Sequence, residues 1–323
     1  MRIGIITPAR AHSSHGNRVT ALRWQKLLRE LGHRVTLAQS YEGERYDLLI
    51  ALHARRSHSS IRRFHSEHPG APLIVALTGT DIYHDLPRNR PAQESIEVAT
   101  RLIVLQPRAL LELRLELRRK ARVIFQSVAM KSMARRDGAH STRTIRVFDV
   151  CVAGHLRPVK DSFRAALAAR LLPQASRVRI LQVGKALTRV SAVRARAEMK
   201  KNPRYRWLGE VPRGRVFGLL RRSNLFVLSS RLEGGANALG EAIVTGIPVL
   251  ASLIPGNVGI LGENYPGYFN VGDTKGLAKL LARAETGSTF RADLKARCKK
   301  LAPLFEPDRE KSAWAKLLAD LSR

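Results

Sequence analysis

Short β-branched or leucine-rich apolar runs, each closed by a polar loop, recur along this chain with room for one helix between them. Residues 2–7, 34–37, 47–52, 73–77, 102–105 and 123–125 read as strands in the first half. Residues 147–152, 179–183, 204–208, 225–228 and 248–251 do so in the second. Between them the period changes to that of a helix. Val19, Leu22, Leu27, Leu28 and Leu31 mark a helix over 18–31 that stops at Gly32. A basic helix is expected over 53–66 and a charged one over 108–119. The end of the chain, 309–322, is amphipathic through Trp314, Leu317, Leu318 and Leu321. Strand–helix alternation predicts an α/β fold of doubly wound parallel sheets. A length of 323 residues suits two such domains.

In such sheets ligands sit beyond the carboxyl ends of the strands. In the first half those ends carry residues 9–18, then His53-Ala54-Arg55-Arg56, then Gly79-Thr80-Asp81. Each such His or Arg alone is an ordinary solvated loop residue. Three polar, cation-rich loops at one sheet edge make a candidate pocket for an anion. Asp81 is its obvious carboxylate and the candidate base or orienting group.

The richest stretch is FVLSSRLEGGANALGEAIVTGIPVLAS, residues 226–252. It reads as strand, glycine turn, helix and strand. Gly234 and Gly235 let the backbone approach a ligand closely, and the N–H groups at a helix start suit a phosphate. Asn237 is the expected N-cap. Glu233 stands before the helix and Glu241 one turn inside it, and both can accept from sugar hydroxyls. The competing reading is a capped helix with one solvated Glu and one apolar face.

Composition narrows the class. Hydrophobic residues make up 44% of the chain, enough for true cores. No apolar run reaches the ~18 residues of a membrane span, and the first residues read as a strand rather than a signal peptide. Cys151 and Cys298 lack metal or disulfide spacing, which points to a reducing cytoplasm. The formal net charge of +31 first suggests nucleic acid. The cations are spread along the whole chain, however, and aromatics are only 6%. No specific nucleic-acid site and no integral membrane contact are therefore expected, and the charge fits diffuse attraction of anions. There is no GxGxxG, GxxxxGK[ST] or HExxH, which removes dinucleotide, P-loop and zincin readings.

The Glu-x7-Glu spacing of Glu233 and Glu241, followed by EAIVTGIPVLAS, resembles the donor-site motif of family-4 glycosyltransferases. The resemblance implies the GT-B fold: two Rossmann-like domains facing a cleft, with a last helix crossing back. It puts an acceptor domain at 1–145, a UDP-sugar donor domain at 146–305 and the returning helix at 306–323. Within it, Ala153 to Asp161 is similar to the Gly-Arg-Leu-x3-Lys-Gly element whose cations neutralise the donor diphosphate. Lys160 falls on the Lys position; His155 replaces the Arg, with Arg157 two residues on. Donor contacts are implied at Arg157, Lys160, Gly209, Glu233, Gly235, Ala236, Asn237 and Glu241. Gly209 would lie along the uracil, Glu233 on the sugar and Glu241 on the ribose, and Gly256-Asn257 could also reach the donor. The lack of an Asp-x-Asp triplet argues against the other large glycosyltransferase fold, so no metal and no cofactor are expected.

Finer segments, among them GNRVTALRW, ALHARRSHSSIRRF, VALTGTDIYHDL and IPGNVGILGENYPGY, resemble the selenosugar synthases of selenoneine biosynthesis. That resemblance implies transfer of the sugar of UDP-GlcNAc or UDP-glucose to the selenium of selenophosphate. His12, Asn17, Arg18, His53, Arg55 and Thr80 are then the candidate acceptor contacts, and Asp81, His53 and Lys160 the candidate catalytic groups. Two alternatives stand: transfer to an oxygen acceptor, lipid or polysaccharide, and a non-catalytic anion-binding protein of the same fold.

Overall fold

The computed structural model describes residues 1–10, 16–129 and 147–321. They form two compact units. The first comprises Met1–Ser127, Leu232–Asn237 and Leu304–Arg323, the second Val128–Arg231 and Ala238–Pro303.

The first unit runs β1 (Arg2–Ile6), α1 (Gly16–Glu30), β2 (Arg34–Ala38), β3 (Leu48–Leu52), α2 (His58–Glu67), β4 (Leu73–Leu77), α3 (Arg90–Val98), β5 (Arg101–Val104), α4 (Leu115–Arg119) and β6 (Ala121–Val123). Its six strands pair in parallel in the order β2-β1-β3-β4-β5-β6. Side chains of a strand alternate between faces, so β3 and β4 each supply two cores. Leu48, Ile50, Leu52, Ile74 and Ala76 join Trp24 and Leu28 of α1. Leu49, Ala51, Leu73, Val75 and Leu77 join Ile61 and Phe64 of α2 and Ile96 of α3 on the other face.

The second unit runs β7 (Phe148–Ala153), α5 (Arg164–Ala169), β8 (Val178–Val183), α6 (Arg189–Lys201), β9 (Tyr205–Trp207), α7 (Arg213–Arg222), β10 (Leu225–Leu228), α8 (Asn237–Thr245), β11 (Val249–Ser252), α9 (Pro255–Leu261), β12 (Tyr268–Phe269), α10 (Thr274–Thr286) and α11 (Ser288–Leu301). The parallel order is β12-β11-β10-β7-β8-β9. A last helix, α12 (Pro307–Ala319), belongs to the first unit, where Trp314 meets Trp24 edge to face at 4.9 Å. Among the described residues no helix is long and apolar enough to cross a membrane.

Two helices differ from the sequence expectation. The helix expected from residue 53 begins only at His58. His53 has φ 75°, outside the right-handed helical region, and the Ser57 hydroxyl donates to the Leu52 carbonyl at 2.7 Å, closing a turn instead. The helix expected over 108–119 is split. A tight turn, Pro107–Glu112, precedes α4, because Leu113 and Arg114 are extended. Leu113 is buried there, and the Arg118 guanidinium donates to its carbonyl at 2.7 Å.

Candidate active site

Each sheet has a point where strand order reverses and the loops above part. In the first unit it lies between β1 and β3, in the second between β7 and β10. Sequence expectation placed candidate residues in the loops after all four strands.

In the first unit, His53 and Thr80 meet: the ring Nε2 lies 3.0 Å from the threonine Oγ1. The ring is fully enclosed, so His53 positions the half-buried Thr80 hydroxyl rather than presenting itself. Burial is the largest influence on the His53 imidazole and pushes it below its ordinary value. The Asp81 and Asp85 carboxylates, 4.0 and 3.9 Å away, pull the other way, while Arg56 and Arg55 add to the lowering. Asp81 is also fully buried. Its oxygens accept from the backbone N–H groups of Ala54 (3.2 Å), Thr78 (2.9 Å) and Gly79 (2.7 Å). Of the two roles expected for Asp81, base or orienting group, this geometry fits the second. It ties the loop after β3 to the loop after β4.

Asp85 escaped the sequence reading. It takes the Arg55 guanidinium at 2.7 Å and His84 at 3.0 Å. Burial raises its carboxyl, but those two bonds and the charges of Arg55 and His53 outweigh it and hold the group below its usual range. Arg55 is thus a half-exposed cation with one edge anchored. Asn17 and Arg18 stand half-buried in the first turn of α1. The Arg18 Nε is buried without a hydrogen-bond partner among the described residues. His12 lies outside the described residues.

The segment Leu232–Asn237 belongs to this same unit. Its glycines also pack closely against neighbouring loops. A Cβ on Gly234 would stand 2.4 Å from the Thr78 carbonyl oxygen, and one on Gly235 2.6 Å from Leu105 Cβ. A Cβ on Gly79 would meet the Gly234 nitrogen at 2.9 Å. These contacts bring loop against loop. Glu233 and Ala236 are buried beside it. Asn237 is itself the first residue of α8, and its side-chain oxygen accepts from Arg23 at 3.2 Å. Arg23 also donates to the Ser127 carbonyl at 3.1 Å and pairs with buried Glu310 of α12 at 3.2 Å.

In the second unit, the loop after β7 carries Arg157 and Lys160 through a short turn, Pro158–Lys160. The turn is bolted to the end of β10. Arg231 N donates to the Val159 carbonyl at 2.8 Å, and the Ser229 hydroxyl reaches the Asp161 carbonyl at 3.0 Å. Asp161, in the left-handed region at φ 43°, pairs with Arg164 at 2.9 Å. Lys160 and Arg157 are both half-buried. The neighbouring loops are zipped together past the strand ends: Gly154 N to Val183 O at 2.9 Å, Leu156 N to Lys185 O at 2.9 Å, and Gly184 N to Gly209 O at 2.8 Å. Gly209 turns at φ 71°. His155 occupies its ring Nδ1 with the Lys185 N–H at 3.2 Å. Glu241 is held by Arg213 of α7, with Nη2 at 3.0 Å and Nε at 3.1 Å.

Fold comparison bears directly on this arrangement. HepE from Anabaena, solved with UDP, superposes with a TM-score of 0.77 at 15% identity, covering 99% of this chain and 100% of that one. This is the GT-B fold of glycosyltransferases. HepE is also solved with UDP-glucose. Sucrose-phosphate synthase from Thermosynechococcus elongatus gives a TM-score of 0.77 at 15% identity, covering 99% and 98% of the two chains. A glycosyltransferase from Rickettsia africae gives 0.73 at 12%, covering 100% and 98%. Residues 146–301, the second half of this GT-B chain, match the family described as glycosyl transferases group 1. No curated protein matches the sequence.

The structure thus gathers His53, Arg55, Thr80, Asp81 and the 232–237 segment in one unit, and Arg157, Lys160, Gly209 and Glu241 in the other. Sequence reasoning missed Asp85, Arg213, Arg23 and Glu310. Asp85 had a signal, four residues after Asp81 in a helical stretch. Arg213 had none, because its partner is 28 residues away.

Proposed function

We propose that this protein is a UDP-sugar-dependent glycosyltransferase whose acceptor is selenophosphate. The observation that carries the transferase reading is the cationic turn of Arg157 and Lys160, fixed to β10 at the switch point of the second sheet. A departing UDP needs positive charge already in place as the glycosidic bond breaks. Lys160 and Arg157 supply it in this reading, with no metal required. Glu241, oriented by Arg213, takes the ribose hydroxyls, Glu233 the sugar, and Gly209 the edge of the uracil. The UDP and UDP-glucose bound by HepE fit a donor of this class.

The acceptor assignment draws on the sequence resemblance and on the bonding of Asp81. Its oxygens accept from three backbone N–H groups and tie the loops after β3 and β4 together. Selenophosphate needs no base, since its selenium is already a soft nucleophile. It needs cations on its oxygens and a fixed approach to the anomeric carbon. Arg18, Arg55 and the Thr80 hydroxyl are suited to that, with His53 and Asp85 holding the last two in place. In the balanced step selenium attacks the anomeric carbon, the C–O bond to the diphosphate breaks and UDP leaves. Water then cleaves the Se–P bond, giving a 1-selenosugar and phosphate. Transfer to an oxygen acceptor, lipid or polysaccharide, is the second reading.

The test is mass spectrometry of the purified protein with UDP-GlcNAc or UDP-glucose, with and without anaerobic selenophosphate. A selenium-containing sugar formed only when both substrates are present is expected. UDP binding without selenosugar moves the acceptor to an oxygen nucleophile. Absence of UDP binding overturns the transferase reading itself.

A further inference from the structure

We propose that the outward face of α6 docks the second unit onto an anionic lipid surface. The thirteen residues Arg189–Lys201 extend about 20 Å. The inward side is set by buried Ala195 and Glu198. Glu198 is the helix's lone acid, and it is turned away from water into a two-point pair with Arg170, at 2.9 and 2.6 Å. On the opposite side Val190 is 77% exposed and Val193 54% exposed. With Ala197 they form one strip at helical spacing. At 100° per residue, Arg189, Arg196 and Lys200 flank one side of the strip and Lys201 the other, while the Arg194 guanidinium lies over the Phe163 ring at 4.4 Å. The four flanking cations are exposed. Leu187, 39% exposed, extends the apolar strip just ahead of the cap, where the Thr188 hydroxyl accepts from Ser191 N at 3.1 Å.

Val190 and Val193 stand one turn apart among these cations, and a purely electrostatic anion site would have no need of them. A small apolar strip edged by cations suits contact with a headgroup plane, where apolar burial and charge attraction add. The valines enter the acyl boundary, and the Lys and Arg stems reach outward to lipid phosphates. α6 begins at the carboxyl end of β8, beside β7, whose following loop carries Lys160. Docking would therefore hold the cationic end of this sheet near a membrane. The inference stands apart from the acceptor's identity.

The test is co-sedimentation of the full chain with vesicles of equal parts phosphatidylcholine and phosphatidylglycerol, against vesicles of phosphatidylcholine alone. Binding to the mixed vesicles is expected, falling at least tenfold in Val190→Ser with Val193→Ser. Arg189→Glu with Lys200→Glu should weaken binding further, since each cation near an anionic surface contributes about fivefold. Lys295→Glu with Lys299→Glu, on α11, makes the same change of charge and should lose far less. Thermal melting and UDP affinity are expected to stay at wild-type values in all three. No binding to the mixed vesicles overturns the proposal. So does equal loss in the α6 and α11 charge variants, which would mark diffuse attraction, and so does full retention by the serine pair.

Discussion

Removing the carboxylate of Glu310 tests how the first unit is held together. Glu310 is 2% exposed on α12. One oxygen accepts from the Trp24 indole N–H at 2.8 Å. The other accepts from Ser127 N at 2.8 Å and faces the Arg23 guanidinium at 3.2 Å. Glu310→Ala strands two buried donors, each worth about 1–3 kcal/mol, and leaves a largely buried cation uncompensated. Such losses are not additive, and breaking a buried pair typically costs about 3–5 kcal/mol. The expected destabilisation is about 4 kcal/mol, or roughly 10 °C in the melting of a unit of this size. Glu310→Gln keeps one acceptor but turns a donor toward a donor, and should cost about 2 kcal/mol. Trp24→Phe, which deletes one hydrogen bond and trims the edge-to-face contact with Trp314, should cost about 1–2 kcal/mol. Urea unfolding followed by tryptophan fluorescence and by far-ultraviolet circular dichroism reads all three. A Glu310→Ala protein within about 1 kcal/mol of wild type would refute the reasoning, because it would mean the donors find water without loss.

Three further outcomes follow from the geometry. Gly184→Ala should destabilise the second unit by about 3 kcal/mol, since its Cβ would stand 2.0 Å from the Gly154 carbonyl oxygen at a φ of 138°; denaturant melts check this, and a neutral result means the loops are not zipped as described. Arg213→Ala should weaken UDP binding about tenfold, the loss of one charge-assisted contact orienting Glu241; calorimetry with UDP that shows no change would separate Glu241 from the donor. The lowered pKa of His53 means the unfolded state takes up a proton first as pH falls. Stability should therefore rise with pH up to about 6.5 and be lost below it. Stability measured at about pH 7.5 and 5.5 should differ less in His53→Asn than in wild type, and an equal difference would remove His53 as the cause.

Two parallel sheets, and nearly every strand in them, were legible in the sequence. A strand buried on both faces must be a near-continuous apolar run, so Leu48–Leu52 and Leu73–Leu77 declare themselves. The strand-end loops were legible for the same reason, because polar residues must begin where burial stops. What the sequence could not declare is any pairing across distance. The pairs Glu310 with Trp24, Arg213 with Glu241, and Gly234 against Thr78 join residues whose spacing carries no period. Local cues misled where tertiary contacts outweighed helix propensity, as at His53, turned into the left-handed region, and at Leu113, drawn into the core. Sequence by itself determined the layers and the chemistry at their edges, because backbone hydrogen bonding and apolar burial are periodic and local. Only the tertiary structure decided which charge faces which, because a carboxylate such as Asp81 becomes a base or a loop tie according to the donors the fold brings to it.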